Sequence, residues 1–203
     1  MTPAAFRAAS GVSRETLVRL ETYAGLVRRG RRSSALTSRA GLVDLWRRHM
    51  LDSAQLLGLA PRPARVWLDL GSGAGFPGMV LAIMGAGEVH LVESNARKCR
   101  FLHAVARATR TAVHIHHARI EGLDPWPVDV VTARALAPFP ALVDYARPFF
   151  AAHTVGLFPK GQDVENELTA APKYRRIAIE RVQSVTSLRG TVLVVRGLSD
   201  LRI

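Results

Sequence analysis

A carboxylate followed by a cluster of glycines is the stretch of this sequence whose residue types and spacing point most directly to chemistry. Asp69 lies in the apolar run 66–70, and four of the next eight residues, 71–78, are glycines. The apolar run predicts a buried parallel strand, and glycines at its end let the backbone turn sharply and approach a ligand without an intervening Cβ atom. The apolar run 79–84 predicts a helix whose free N–H groups point back toward the turn. The sequence therefore predicts a ligand-binding turn between a strand and a helix.

The glycine spacing fits two classes of cofactor. Gly73, Gly75 and Gly78 match G-x-G-x-x-G, the dinucleotide fingerprint, and Glu93 follows at a distance suited to a ribose acid. Asp69 and the first three glycines also read as D-x-G-x-G-x-G, which resembles motif I of methyltransferases that use S-adenosylmethionine (SAM). The acid favours SAM, because a pyrophosphate prefers a helix N-terminus without a carboxylate, whereas SAM is a sulfonium cation. A glycine-rich turn that binds no ligand is the remaining alternative.

Further candidate ligands follow the strands of the predicted domain, since ligands of open parallel sheets lie beyond the carboxyl ends of the strands. Glu93 is expected to accept hydrogen bonds from ribose hydroxyls, and Phe76 and Ile120 to flank an adenine ring. Glu121 or its backbone would then read the edge of that ring, while the glycine turn faces the amino-acid tail. A surface acid without a ligand is the alternative for Glu93.

The charge of the chain is strongly basic and unevenly distributed. Its 203 residues include 28 lysines and arginines against 16 acidic residues, a formal net charge of +12. Residues 1–65 hold twelve arginines and four acidic residues. This field predicts a polyanionic partner, nucleic acid rather than a membrane, because no basic helix has a strongly apolar opposite face. The arginines expected to contact phosphate are Arg28, Arg29, Arg31 and Arg32, with a solvated loop as the alternative.

Length, hydropathy and cysteine content set the broad class. The length suits one domain with a small appendage, and the absence of an 18-residue apolar run or an apolar signal segment predicts a soluble cytoplasmic protein. Cys99 is the only cysteine, which excludes an internal disulfide and a thiolate metal cluster. Its place inside a predicted helix also argues against a covalent cysteine mechanism.

The elements that must position these groups alternate between strand and helix from Val66 onward. This alternation predicts an α/β fold, a Rossmann-like and mostly parallel sheet of seven strands with an antiparallel last strand and helices on both faces. Residues 1–11 are expected to fray, and two helices are predicted ahead of the sheet, at 14–29 and 42–57. The predicted strands are 66–70, 89–93, 113–116, 128–132, 154–158, 176–182 and 191–196, and the predicted helices between them are 78–84, 96–108, 140–150 and 163–170.

Two polar clusters are interpreted as non-catalytic. His114 and His116 alternate along a predicted strand and share a face, but the sequence shows no third ligand at a suitable spacing, so exposed imidazoles are favoured and no metal is expected. His49, Asp52 and Ser53 lie on one face of a predicted helix. A Ser-His-Asp triad needs the imidazole between hydroxyl and carboxylate, which one helical turn does not provide. This trio is predicted to dock the helix on the glycine turn.

Seven short blocks occur in a fixed order within residues 36–196. They are R-H-x-x-D-S at 48–53, L-D-L-G-S-G-A-G-F-P-G at 68–78, L-V-E-S at 91–94, F-L at 101–102, A-R-I-E at 118–121, T-A-R-A at 132–135 and F-P-K-G at 158–161. Together they resemble the RsmG (GidB) family, bacterial SAM-dependent methyltransferases that modify N7 of a guanine in 16S ribosomal RNA. The family usually has Asn-Leu-Thr ahead of the first block, where this chain has Ala35-Leu36-Thr37. The resemblance therefore leaves the substrate-side role of that loop open.

The resemblance implies a methyltransferase domain at residues 65–203 and an arginine-rich helical extension at residues 1–64, together forming one compact unit. It implies SAM as methyl donor, S-adenosylhomocysteine as product, no metal, 16S ribosomal RNA or a precursor of the small subunit as partner, and a monomer. The cofactor-binding positions, from the residues and the resemblance together, are Asp69, Gly71, Gly73, Gly75, Phe76, Glu93, Ile120, Glu121 and Arg134. The positioning candidates are His49, Arg134 and Lys160, and Arg48 and Lys160 join the predicted RNA contacts.

Transfer to guanine N7 would need little more than positioning, because this nitrogen has a free lone pair and carries no proton. The sequence lacks the N/D-P-P-Y/F tetrapeptide used on exocyclic amines. One alternative is an NAD-dependent oxidoreductase, which would need a proton relay that Tyr23, Tyr145 and Tyr174 are poorly placed to provide. The other is a non-catalytic RNA-binding module, which the intact set of acids and glycines disfavours.

Overall fold

The computed structural model describes residues 1–30, 44–169, 174 and 177–200. Arg31, Arg32 and Ala35, which the sequence analysis places at the substrate side, lie outside the described residues, as does the start of the helix predicted at 42–57. None of the described helices has the length and apolar character that a membrane span requires.

The N-terminal residues form a helix, so the prediction that residues 1–11 fray is wrong. Helix α1 covers Pro3–Ser10, and Thr2 caps it by accepting a hydrogen bond of 3.2 Å from the backbone N–H of Ala5. Phe6 is fully buried, and its ring lies 5.3 Å from the ring of Trp46. One large aromatic side chain, placed against a later helix, therefore anchors a segment whose composition alone indicates fraying.

Two further helical segments precede the sheet. Helix α2 covers Arg14–Gly30 and buries Leu20, Tyr23, Ala24 and Val27 on one face, which confirms the helix predicted at 14–29. The next segment, called α3 here, is irregular. It begins as a π-helix at Trp46–Leu51, continues as an α-helical turn at Asp52–Ala54 and ends as a 3₁₀ turn at Gln55–Gly58.

The predicted sheet is confirmed, with small differences at the ends of its strands. The described residues form seven strands in the order β3-β2-β1-β4-β5-β7-β6, in which β1 to β5 pair in parallel and β7 runs antiparallel to β5 and β6. Their bounds are β1 Val66–Leu70, β2 Glu88–Glu93, β3 His114–His117, β4 Val128–Ala133, β5 Phe150–Lys160, β6 Ala178–Gln183 and β7 Thr191–Arg196. Strand β5 is longer than the predicted 154–158 at both ends, since it starts at Phe150, which the sequence assigns to the preceding helix, and continues to Lys160.

Helices cover both faces of this sheet. They are α4 Gly78–Ile83, α5 Ala96–Thr109, α6 Phe139–Ala146 and α7 Val164–Thr169, with 3₁₀ turns at Ile120–Gly122, Arg147–Phe149 and Leu198–Asp200. Neighbouring residues of one strand, such as Val130 and Val131, belong to different buried clusters. The cluster of Val130 contains side chains of α1 to α5, and the cluster of Val131 contains those of α6. The N-terminal helices therefore pack on the same face as the helix that follows the glycine turn.

Candidate active site

Asp69 supports the glycine turn from inside the protein. Its carboxylate accepts 2.9 Å from the Thr132 hydroxyl and 3.2 Å from the backbone N–H of Gly78, and the residue is 1% exposed. Burial raises the pKa of this carboxyl to about 6, against the opposing effect of these hydrogen bonds. The buried carboxylate thus supports the turn from inside the protein, and its predicted place among the cofactor-binding residues stays a prediction.

The turn itself is open above Gly73, where it faces Glu93. The N–H of Gly73 donates 2.9 Å to one Glu93 carboxylate oxygen, and the N–H of Asn95 donates 2.8 Å to the other. Gly73 has φ +59°, and a Cβ atom built there would meet only the carbonyl oxygen of Gly71, at 3.8 Å. A carboxylate has about four acceptor positions. Glu93 is 7% exposed, and Lys98 Nζ lies 3.8 Å from the oxygen that Gly73 contacts, but the carboxylate retains acceptor capacity that fits a ligand with hydroxyl groups.

Tyr23 braces the same turn from helix α2, a role that the sequence analysis missed. Its hydroxyl donates 2.5 Å to the carbonyl of Ala74, and its ring stacks on Phe76 at 5.2 Å between centroids. The side chain is fully buried, and burial raises the pKa of its hydroxyl well above the usual value. The only feature of the sequence that indicates burial of Tyr23 is its place on the apolar face of α2, among Leu20, Ala24 and Val27.

Phe76 is enclosed rather than open to an adenine ring. Tyr23 covers one side, the His49 ring lies 4.7 Å away, and the Arg134 guanidinium lies 5.3 Å from the ring centroid. Phe76 is 5% exposed and belongs to the core on the α2 face, whereas Ile120 packs against the core on the opposite face. Phe76 and Ile120 therefore pack on opposite faces of the sheet, and the adenine contacts expected of them stay a prediction. Ile120 and the exposed Glu121 lie together on the 3₁₀ turn that follows β3.

Arg134, at the end of β4, is held by three groups of α3. It donates 2.6 Å to Nδ1 of His49, 2.9 Å to the carbonyl of Arg48 and 3.2 Å to the carboxylate of Asp52. Burial, together with the charges of Arg134 and Arg48, lowers the pKa of His49 to about 3. The predicted docking of α3 is thus made through Arg134 as well as through the His49–Phe76 contact.

Asp52 also connects α3 to the loop between β6 and β7. Its second carboxylate oxygen accepts 2.8 Å from the Thr186 hydroxyl and 2.9 Å from the Gln55 amide. Gln55 in turn accepts 3.0 Å from the N–H of Val185, and Arg47 donates 3.0 Å to the carbonyl of Thr186. The trio 49, 52 and 53 is therefore a structural junction, and Ser53 contributes by donating 2.7 Å to the carbonyl of His49.

A cleft of about 990 Å³ lies between α3, the loop after β4, the end of β5 and the β6–β7 loop. Arg47 and Arg48 are exposed on its wall. Lys160 also lines it, but its ammonium group donates 2.5 Å to Glu167 and 3.0 Å to the carbonyl of Ala137, and its side chain is 9% exposed. Lys160 therefore holds the loop after β4, and its predicted contact with RNA stays a prediction. Leu188, at the tip of the β6–β7 loop, is 95% exposed at the same cleft.

Two arginines and the cysteine considered in the sequence analysis do not line the cleft. Arg28 and Arg29 are exposed at the end of α2, outside the lining of the cleft. Cys99 is buried and donates 3.2 Å to the carbonyl of Glu93, and burial raises the pKa of its thiol, as a structural cysteine requires.

The strand order with its reversed β7, and the glycine turn between Asp69 and Glu93, define a Rossmann-like methyltransferase fold of the SAM-dependent class. Structures with this fold include a ribosomal protein L11 methylase from Lactobacillus delbrueckii subsp. bulgaricus, at TM-score 0.60 and 13% identity over 71% of this chain and 75% of that one. An MtNAS mutant in complex with S-adenosylmethionine matches at TM-score 0.57 and 16% identity, over 88% of this chain and 71% of that one.

The family follows from the sequence relatives. The model of the GidB family, rRNA small subunit methyltransferase G, matches residues 16–195. The chain is 51% identical to the ribosomal RNA small subunit methyltransferase G of Rhodospirillum rubrum, over 95% of this chain and 96% of that protein. It is 52% identical to the protein of that name from Paramagnetospirillum magneticum, over 94% and 93% of the two chains. The chain belongs to the GidB family, as the sequence blocks predict.

Proposed function

We propose that this protein transfers the methyl group of SAM to N7 of a guanine in 16S ribosomal RNA. The observation that carries the proposal is the junction of an open glycine turn with a basic cleft. A Cβ atom built on Gly71 would lie 2.6 Å from Cδ1 of Leu136, so the loop that forms one wall of the cleft packs directly on the turn. The cofactor and the polyanionic substrate would thus meet at the carboxyl ends of the parallel strands. Membership of the GidB family supports the same activity.

On this proposal, Glu93 and the backbone of the glycine turn hold SAM, with Ile120 and Glu121 at the adenine end. Bound SAM supplies an electrophilic methyl group on a sulfonium centre. The fit rests on the open space above Gly73 and on the acceptor capacity of Glu93. Gly71 and Gly75 shape the turn, and Phe76 and Asp69 hold it in place.

The residues of the cleft then orient the purine and its phosphates. Guanine N7 needs no base to remove a proton, so positioning contributes most of the rate. Arg134 is the central positioning residue, because it fixes α3 and stands at the end of β4 beside the turn. Its pairing with Asp52 offsets a positive charge that would oppose the cationic methylated purine. The neutral His49 adds no charge of its own.

The basic surface supports an RNA partner. Arg48 in the cleft and Arg28 and Arg29 on α2 would contact phosphates, with affinity that falls steeply as salt rises. Residues 1–64 would then act as the RNA-side extension of a catalytic unit at 65–203. We further propose that the enzyme works as a monomer in the cytoplasm on the 16S RNA or on a precursor of the small subunit.

The test separates cofactor binding from RNA methylation. Glu93→Ala and Gly71→Asp should abolish SAM binding in calorimetry, while Glu21→Ala, an exposed acid on α2, should bind as the wild type does. Small subunits from a strain that lacks the gene should gain one N7-methylguanosine with the wild-type enzyme, read by mass spectrometry of the 16S RNA. Wild-type SAM affinity in both site variants would contradict the site assignment. A melting temperature raised by NAD rather than SAM would favour the oxidoreductase alternative.

A further inference from the structure

Four side chains form a cluster that the proposed methyl transfer does not use. They lie on one face of the sheet, on its edge strand β3 and the neighbouring strand β2. Glu88 and His90 lie on β2, and His114 and His116 lie on the neighbouring edge strand β3. The register pairs His90 with His114, and alternate residues of a strand point to the same face. Two ligands that the sequence did not reveal beside His114 therefore come from the neighbouring strand β2. Only the pairing of the strands could show this.

We propose that Glu88, His90 and His114 bind one divalent transition-metal ion of the zinc class. Oε1 of Glu88 lies 3.1 Å from Nε2 of His90 and 3.3 Å from Nε2 of His114. The three ligand atoms all lie within 4.8 Å of one another. Zinc with ligands at about 2.0–2.2 Å in tetrahedral geometry places its ligand atoms roughly 3.3 Å apart. The two carboxylate–imidazole distances already match that spacing.

His116 contacts the proposed ligand His90 on the ring nitrogen that would not bind the metal. Its Nε2 lies 2.9 Å from Nδ1 of His90, so a proton on Nδ1 of His90 leaves Nε2 free as a ligand. Metal-bound histidines commonly donate their other N–H to a hydrogen-bond acceptor, which fixes the tautomer and the ring, and here the acceptor would be Nε2 of His116. Trp126 packs on both rings, at 5.1 Å from His90 and 5.2 Å from His116.

The ligand types select the class of ion. Two imidazole nitrogens and one carboxylate oxygen suit zinc, cobalt, nickel or copper, whereas magnesium and calcium prefer sites made of oxygen. Glu88 and His114 are about half exposed, so an ion can enter from solvent and keep water as a fourth ligand. Glu88 and Glu93 stand at opposite ends of β2. The ion would therefore cross-link β2 to the edge strand without contacting the cofactor cradle.

Untagged protein, stripped with a chelator, should bind one Zn²⁺ per chain in calorimetry and melt at a higher temperature with zinc present. Co²⁺ should give the absorption of a four- or five-coordinate site and quench tryptophan fluorescence through Trp126. His114→Asn should abolish binding, and Glu88→Gln should weaken it strongly. His116→Ala should weaken it roughly 10–100-fold, as loss of an outer-shell partner does. His103→Asn, an exposed histidine on α5, is the matched control and should bind as the wild type does.

Two results would overturn the proposal. One is an absence of zinc binding by the folded wild type at millimolar zinc. The other is equal stoichiometry and affinity in the wild type, His114→Asn and Glu88→Gln, which would mean that zinc binds elsewhere. Circular dichroism shows whether each variant is folded, and SAM titrations on the same samples should match the wild type because the cradle is distant. Loss of SAM binding would count against the methyltransferase proposal, whereas the number of zinc ions bound per chain tests only the metal-site proposal.

Discussion

Arg134 donates a hydrogen bond of 2.6 Å to Nδ1 of His49, and this contact fixes both the charge and the tautomer of the imidazole. A guanidinium group can only donate, so Nδ1 must be the acceptor and the proton must sit on Nε2. Nε2 is buried, and no acceptor among the described residues reaches it. A second proton on the ring would face the guanidinium at contact distance. The junction between α3 and β4 therefore depends on a neutral histidine.

The first prediction concerns the pH dependence of that junction. The pKa of His49 is about 3 in the folded protein and near 6.5 when unfolded, so the unfolded state binds the extra proton between these values. Stability should therefore fall as the pH drops from 6.5 toward 3. The wild type should lose more free energy of unfolding over this window than His49→Gln, measured by urea titration. Nitrogen NMR should show the Nε2–H tautomer at pH 5 to 8, and a His49 pKa near 6.5 would contradict the assignment.

The titration of Asp69 should change stability with pH in the opposite direction to that of His49, over an overlapping pH range. Its pKa is raised to about 6 from an unfolded value of 3.8, so the folded state holds the proton between these values. Stability should therefore decline as the pH rises from 4 to 6, when a buried carboxylate must ionise. The variant Asp69→Asn removes this titration, so the free energy of unfolding of the wild type minus that of the variant should decrease across this window. A flat difference would show that Asp69 binds its proton equally in the folded and unfolded states, which would contradict a raised pKa.

A third prediction separates RNA methylation from cofactor binding. Asp52→Ala removes the carboxylate that joins Arg134, Gln55 and Thr186. Hydrogen bonds to charged groups contribute about 1.5–3 kcal/mol each, so methylation of small subunits should fall about tenfold or more. SAM affinity should stay near the wild-type value, because Asp52 does not contact the glycine turn. Asp44→Ala, another acid of the cleft, is the control. Equal losses in both variants would point to a general charge effect.

The fourth prediction tests the brace from α2. Tyr23→Phe leaves the buried carbonyl of Ala74 without its 2.5 Å donor, which should cost about 1–3 kcal/mol in the free energy of unfolding. SAM should also bind more weakly, since the carbonyl belongs to the turn. Tyr145→Phe, on α6 at the other face of the sheet, should leave the SAM affinity unchanged. Wild-type SAM affinity in the Tyr23 variant would show that the turn holds its shape without this hydrogen bond.

The sequence predicts those features that depend on local pattern. Alternating apolar runs predict β1 and β7 at their observed bounds, and the cofactor class follows from Asp69, the glycines and Glu93. Features that depend on long-range packing are missed. Phe6 anchors α1 only because Trp46 lies opposite, and the histidine cluster forms only because β2 and β3 pair in one register. The surroundings of Phe76 depend on long-range packing in the same way, since Tyr23 and His49 reach it from segments far away in the chain.

Gly78 yields the sharpest packing prediction. A Cβ atom added there would collide with Cδ2 of Leu91 and would lie 2.7 Å from Cβ and 2.8 Å from Oδ2 of Asp69. These neighbours are buried, so relief requires a shift of β1 or β2, and Gly78→Ala should cost about 1–3 kcal/mol in the free energy of unfolding. Gly58→Ala is the matched control, because a Cβ atom at that helical end meets nothing within 4 Å. Urea unfolding of the two variants checks this difference directly. Equal stability would mean that α4 can move away from the sheet, and the Gly78 N–H bond to Asp69 should then be lost, with weaker SAM binding as the result.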